Sequence, residues 1–263
     1  MFKDSRLHLP QEKIDFYQTN GYVQIDNVLS DAETAELSMH LDEVMNVGSE
    51  RSVQTSNSDG AYYKVLNQKV NTWRDHGGMA RYVLSERLAG IADQLSGNKG
   101  IRLFHDHALW KMPNDSKETP WHQDYPYWPL TEAGALSIWL TLDDVDEQNG
   151  CMKFLPGSHR IKDLQAVSLV DAHDIFTDAK GKGKVLNKEN AVSVPLKKGS
   201  CTFHDGLTFH YAHSNQTSNP RRVLAIIYMP DGSVYSGKDH AVTKELALQK
   251  GEMLQGGLFP KLA

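Results

Sequence analysis

A chain of 263 residues is long enough for one large domain with a sizeable core. Its 40% hydrophobic and 23% charged residues exclude a disordered or fibrous chain, and its formal net charge of -5 excludes the basic surface that nucleic acid or an anionic membrane would need. Two cysteines, Cys151 and Cys201, are too few for a disulfide scaffold, and no apolar run approaches the roughly 18 residues of a membrane helix, so a soluble, cytoplasmic protein is expected.

The first hundred residues predict helices. Pro10 suits a first helical position, and Gly21 supplies the stop. Tyr22 to Asp26 alternates as a short strand. Ser30 or Asp31 then caps a longer helix, in which Leu37, Leu41, Val44 and Met45 form one apolar stripe. Residues 48–60 are polar and end in Asp59-Gly60, which predicts a loop, and an amphipathic helix follows from Met79 to Leu95. From Ile101 the pattern changes to short apolar or alternating runs at 101–112, 135–142, 151–155, 191–196, 200–210 and 223–229. No helix of 10 to 15 residues separates them, which favours an antiparallel sandwich or barrel and an α+β class, with 1–263 as one domain. Between Asp178 and Asn190, Lys and Gly alternate, as expected of a lid or a plain surface loop.

The most informative segment runs from Pro120 to Pro129. In an extended strand His122 and Asp124 point to the same side, giving two thirds of the two-His, one-carboxylate face that binds non-haem Fe(II). For the third ligand, His204 and His210 share one parity in the 200–210 run, and His213 lies just beyond; parity does not choose among them. His105 and His107, with Lys111 on the same parity, form a competing same-face pair that lacks a carboxylate.

The run Pro120-Trp121-His122-Gln123-Asp124, the stretch from Ala135 through Trp139, Asn149-Gly150 and Pro156-Gly157-Ser158-His159, and then His210, Asn215, Thr217 and Arg221 in order resemble the phytanoyl-CoA dioxygenase family. The resemblance implies a double-stranded β-helix (jelly-roll, cupin-like) core with N-terminal helices packed outside. It implies an Fe(II)- and 2-oxoglutarate-dependent dioxygenase that uses O2 to hydroxylate an unactivated C–H bond of a small molecule, releasing succinate and CO2. Position by position, it implies His122, Asp124 and His210 as iron ligands and Arg221 as the group that binds the far carboxylate of 2-oxoglutarate. Trp139, Lys111 and His107 are expected near the co-substrate, and Tyr125, Tyr127, Trp128 and His213 near the substrate. Retention of Asp124 favours hydroxylation over halogenation. One departure is that His210 is followed by Tyr211-Ala212, where related sequences often place Gly and then a small hydroxyl residue. Two other readings use the same residues: a metal-dependent hydrolase, for which no general-base Glu accompanies the motif, and a catalytically silent small-molecule-binding barrel.

Overall fold

The structure, a computed structural model, describes residues 6–46, 53–54, 67–114, 116–169, 175–181, 183 and 186–263. Helix α1 (Gln11–Asn20) begins after Pro10 rather than at it, and Gly21 closes it at φ 80°, a backbone conformation that glycine adopts without strain. Strand β1 (Tyr22–Ile25) follows, and then α2 (Asp31–Asn46). Ser30 and Glu33 cap that helix reciprocally: Glu33 N–H donates to Ser30 Oγ at 3.3 Å, and Ser30 N–H donates to Glu33 Oε2 at 2.8 Å. Leu37 and Leu41 of the stripe are fully buried, and Val44 is nearly so. Apart from strand β2 (Val53–Gln54), the polar stretch 48–60 lies outside the described residues.

Strand β3 (Asn67–Val70) carried no usable sequence signal, being two amides, a lysine and a valine. The helix expected from Met79 to Leu95 is two helices, α3 (Gly77–Val83) and α4 (Glu86–Ser96). The break has a local cause: Ser85 turns its hydroxyl to accept from Leu88 N–H at 3.2 Å and so starts a new helix. Strands β4 (Ile101–Lys111), β5 (Thr119–His122), β6 (Leu136–Thr141), β7 (Met152–Phe154) and β8 (Val192–Val194) come next, with α5 (Ile175–Gly181) before β8. In the segment read as a lid or surface loop, Ala179 of α5 is therefore buried, packed with Leu155, Leu164 and Phe209. Residues 182, 184 and 185 lie outside the described residues.

The run 200–210, expected as one strand, is split. Strand β9 (Cys201–Asp205) ends in a turn in which Asp205 accepts from Leu207 N–H and Thr208 N–H, both at 2.8 Å, and β10 (His210–Ala212) starts beyond it. Gly206 sits at the crossing, where a Cβ would come within 2.4 Å of the Trp128 ring. Strand β11 (Arg221–Pro230) completes the set. Among the described residues all strand pairs are antiparallel, in a seven-stranded sheet ordered β1-β9-β6-β11-β4-β3-β2 and a four-stranded sheet ordered β5-β10-β7-β8.

Strand alternation gives the larger sheet two different faces. Leu103, Ile138, Phe203, Leu224 and Ile226 pack with Leu37, Leu41, Leu88 and Ile91 of the helices. The opposite face, bearing His105, His107, Trp139, His204, Arg221 and Ala225, lines a cavity shared with His122 and His210 of the smaller sheet. The expected α+β sandwich is thus present with its helices outside, and the two sheets remain separate rather than closing into one barrel. Among the described residues no helix is long and apolar enough to cross a membrane.

The helix–sheet layer depends on the α2 stripe. Leu37→Ala is expected to destabilise the fold by about 2–5 kcal/mol, whereas Met39→Ala on the exposed side changes stability by about 0.5 kcal/mol or less. Urea unfolding of both variants measures the difference, and equal effects would contradict this layer assignment.

Candidate active site

The cavity between the sheets has a volume of about 490 Å³. His122 ends β5 and lies directly opposite His210 of β10, and their rings are 4.1 Å apart. Each ring is held the same way. His122 Nδ1 lies 2.7 Å from the Pro120 carbonyl, and His210 Nδ1 lies 2.9 Å from the Thr208 carbonyl. A carbonyl only accepts, so both Nδ1 atoms carry a proton, and the Nε2 atoms are the ones left to face a metal.

Asp124 stands beyond the end of β5 in an αR conformation, so the strand alternation assumed from the sequence stops short of it. The turn nevertheless brings its carboxylate to the two imidazoles: Oδ1 lies 3.5 Å from Nε2 of His122 and 3.5 Å from Nε2 of His210. One donor atom from each of His122, Asp124 and His210 falls within 4.8 Å of the others. Asp124 Oδ2 faces the larger sheet, accepting from Ser137 Oγ at 3.1 Å and lying 3.3 Å from His204 Nε2. The sequence left His204 and His210 as equal candidates. The split of 200–210 puts them on different sheets, with His210 beside His122 and His204 behind the carboxylate.

Burial alone would raise the Asp124 pKa, but the imidazoles of His210, His122 and His204 outweigh it and hold the carboxyl well below its ordinary value. The His210 pKa is pushed well down, first by burial and then by His122. Two imidazole Nε2 atoms and one ionised carboxylate converging at the cavity fit a non-haem Fe(II) site, and His122, Asp124 and His210 would hold the metal there.

Arg221 lies in the same cavity, 4% exposed, with its guanidinium 5.0 Å from the Trp139 ring centroid. Burial lowers its pKa to about 10, so it stays charged at neutral pH. Its Nε is buried without a hydrogen-bond partner, and no carboxylate within ion-pair distance of it is found among the described residues. A buried, uncompensated guanidinium is costly, and the carboxylate of a bound diacid would complete it. Arg222 points away and pairs with Asp143 and Asp42.

The other expected site residues divide. His107, Trp139, Tyr127 and Trp128 line the cavity, and Tyr127 sets its ring edge-on to His122 at 6.2 Å. Lys111, Tyr125 and His213 do not. Lys111 is 2% exposed, its Nζ is spent on Thr119 Oγ1 and the Ala212 carbonyl, and burial drives its pKa far down. Tyr125 packs with the apolar cluster around Phe104 and Leu130, and His213 sets its ring against Tyr211. Sequence reasoning missed Ser137 and the segment Lys238–Ala241, which also lines the cavity. Ser137 was findable, since it shares the parity of Trp139 in β6. Residues 238–241 lie outside any regular element and carry no periodic signal.

A family model described as phytanoyl-CoA dioxygenase (PhyH) matches residues 17–223. The chain is 24% identical over 238 residues to the peroxisomal phytanoyl-CoA dioxygenase of Bos taurus, covering 83% of this chain and 67% of that protein. It is 25% identical over 241 residues to the ectoine dioxygenase of Bordetella bronchiseptica, covering 84% and 75%. Among solved structures, the non-heme alpha ketoglutarate dependent carbocyclase SnoK from nogalamycin biosynthesis matches with a TM-score of 0.81 at 26% identity, over 97% of both chains. The epimerase SnoN in complex with Fe3+, alpha ketoglutarate and nogalamycin RO matches with a TM-score of 0.80 at 29% identity, over 96% of this chain and 98% of that one.

The environment of Asp124 has two measurable consequences. Because Ser137 and His204 fix Oδ2 and so aim Oδ1, Ser137→Ala and His204→Phe are each expected to weaken Co(II) or Fe(II) binding by about 10–100-fold, read by competition with a chromogenic chelator; unchanged metal affinity in both would exclude this orienting role. Burial also lowers His107 and His240 to about 4, against about 6.5 in an unfolded chain. The folded state then binds fewer protons than the unfolded one, so stability falls as pH drops from about 6.5 to about 4. His240→Gln should flatten that decline, measured as the pH dependence of the denaturation midpoint.

Proposed function

The chain belongs to the phytanoyl-CoA dioxygenase family, and from that membership we propose a division of labour in which His122, Asp124 and His210 hold Fe(II) and Arg221 grips the far carboxylate of 2-oxoglutarate. It is an Fe(II)- and 2-oxoglutarate-dependent dioxygenase, and the proposal concerns which of its residues do what, and to which bond. The observation that carries the assignment is that a converging His-Asp-His set and a buried guanidinium without a carboxylate partner open onto one cavity.

When bound, ferrous iron supplies the oxidising chemistry that couples O2 and 2-oxoglutarate to succinate, CO2 and an oxidised substrate. The residues supply placement. The Pro120 and Thr208 carbonyls lock the two imidazole tautomers. Ser137 and His204 hold one carboxylate oxygen so that the other is free to ligate. Arg221, backed by the face of Trp139, offers a planar paired grip that an ammonium does not match. Tyr127, Trp128 and the apolar wall of Leu109, Ala225 and Ile227 exclude water around the reacting bond. We assign no contact with substrate or co-substrate to Lys111, Tyr125 or His213. Both cysteines are free and buried, which suits a reducing cytoplasm.

Hydroxylation of an unactivated C–H bond is the outcome favoured by the retained carboxylate ligand. A second outcome has specific support, because the two structural relatives above are named a carbocyclase and an epimerase. Product mass separates these: gain of one oxygen, loss of two hydrogens, or no change.

Anaerobic Fe(II) plus 2-oxoglutarate is expected to give a weak visible charge-transfer band, and admission of air to give slow succinate formation. Arg221→Ala should keep the metal and weaken 2-oxoglutarate binding by about a hundredfold, the scale of a lost charge-assisted pair. Iron-loaded protein that neither binds nor consumes 2-oxoglutarate would move the assignment to a hydrolase or a silent binding barrel.

A further inference from the structure

A second group of imidazoles lines the same cavity and belongs to neither the metal set nor the guanidinium site: His105 and His107 of β4, and His240 from the C-terminal segment. The His105 ring centroid lies 4.6 Å from that of His107 and 5.3 Å from that of His240. Their hydrogen bonds assign their protons. Gln68 Oε1 sits 2.9 Å from His107 Nδ1, so that nitrogen donates and Nε2 is left as an acceptor. Val242 N–H donates to His240 Nδ1 at 3.2 Å, so that nitrogen is bare and Nε2–H is left as a donor. His105 is 1% exposed, and its Nδ1 is buried with no hydrogen-bond partner among the described residues. Burial lowers all three pKa values, and the imidazoles are neutral at neutral pH.

The charge around them is correspondingly sparse. Among the described residues, the charged groups on the cavity wall apart from Asp124 and Arg221 are Lys238 and Asp239, both exposed at the rim, and Lys238 donates to the Pro126 carbonyl. The wall therefore offers a neutral acceptor, a neutral donor and a third imidazole left unsatisfied, beside the apolar surfaces of Val70 and Leu109. An unpaired buried polar atom costs free energy unless the ligand supplies its partner.

We infer that His105, His107 and His240 form the substrate-recognition face, and that the substrate is an uncharged molecule carrying adjacent hydroxyl groups on a hydrocarbon frame. This rests on the metal and co-substrate reading above. A hydroxyl donates and accepts at once, so one hydroxyl satisfies His107 Nε2 and His240 Nε2–H together, and its neighbour reaches His105. A carboxylate accepts only and leaves His107 Nε2 without a donor. A pure hydrocarbon leaves all three rings unsatisfied.

The test uses Co(II)-loaded protein with saturating 2-oxoglutarate, titrated with cis-1,2-cyclohexanediol or with cyclohexanecarboxylate and followed by ligand-observed NMR. The diol is expected to bind saturably and the carboxylate not. His240→Phe should weaken diol binding by about tenfold or more, while His240→Gln, which keeps a donor, should retain most of it. Perturbation of the cobalt visible spectrum by 2-oxoglutarate verifies in each variant that the fold and metal site are intact. Carboxylate binding as tight as the diol's, diol affinity unmoved by His240→Phe, or no saturable diol binding up to its solubility would each overturn the inference. If 2-oxoglutarate failed to perturb the wild-type cobalt spectrum, the metal and co-substrate reading would fall instead.

Discussion

The Asp124 carboxylate is the point at which the two sheets meet chemically. One oxygen faces two imidazoles held by the smaller sheet, and the other is held by a hydroxyl and an imidazole of the larger. The Asp124 side chain is 23% exposed, and His210, His122 and His204 hold its carboxyl well below its ordinary pKa against a desolvation that would raise it. The smaller sheet and the turn after β5 carry His122, Asp124 and His210, while the larger sheet contributes the groups that hold the second carboxylate oxygen. The arrangement around Asp124 is therefore complete only where the two sheets face each other.

Much of this was legible in the residues. Extended-strand parity paired His122 with Asp124, and the order of motifs selected His210 and Arg221, which the structure brings to one cavity. Parity succeeded at Asp124 for an incomplete reason: the residue is past the strand end, and a helical backbone turn delivers it to the same side. The same rule failed over 200–210, because parity carries no information about where a strand leaves one sheet for another. The turn at Asp205 to Thr208 makes that choice through side-chain and backbone hydrogen bonds, and Gly206 permits the crossing under Trp128. Long-range partners were legible only in part. Parity placed His204 among the candidate ligands and puts Ser137 on the face of Trp139, but it does not show that both reach Asp124 Oδ2 across 80 and 13 residues of sequence.

The cavity also separates two electrostatic tasks. At one wall Asp124 and Arg221 are ionised and await a partner of opposite charge. Around His105 the groups are neutral, and their hydrogen-bonding character is set by which nitrogen the protein has already engaged. Burial drives both behaviours, raising the cost of an unpaired guanidinium at one wall and removing protons from imidazoles at the other. A diacid and an uncharged molecule can thus occupy one small space without competing for the same groups.

The glycine that closes α1 reaches further than its turn. Its carbonyl accepts from Asp205 N–H at 2.9 Å and from Thr208 Oγ1 at 2.7 Å, and the carbonyl of Thr208 fixes the ring of His210. Any side chain added there would also collide with His159 and Thr208. The first helix is therefore wired, through two consecutive contacts, to the orientation of an imidazole in the interior. Efforts to retune the enzyme by varying only cavity-facing positions would leave this lever untouched, and substitutions far out on α1 deserve scoring for catalytic competence as well as for folding.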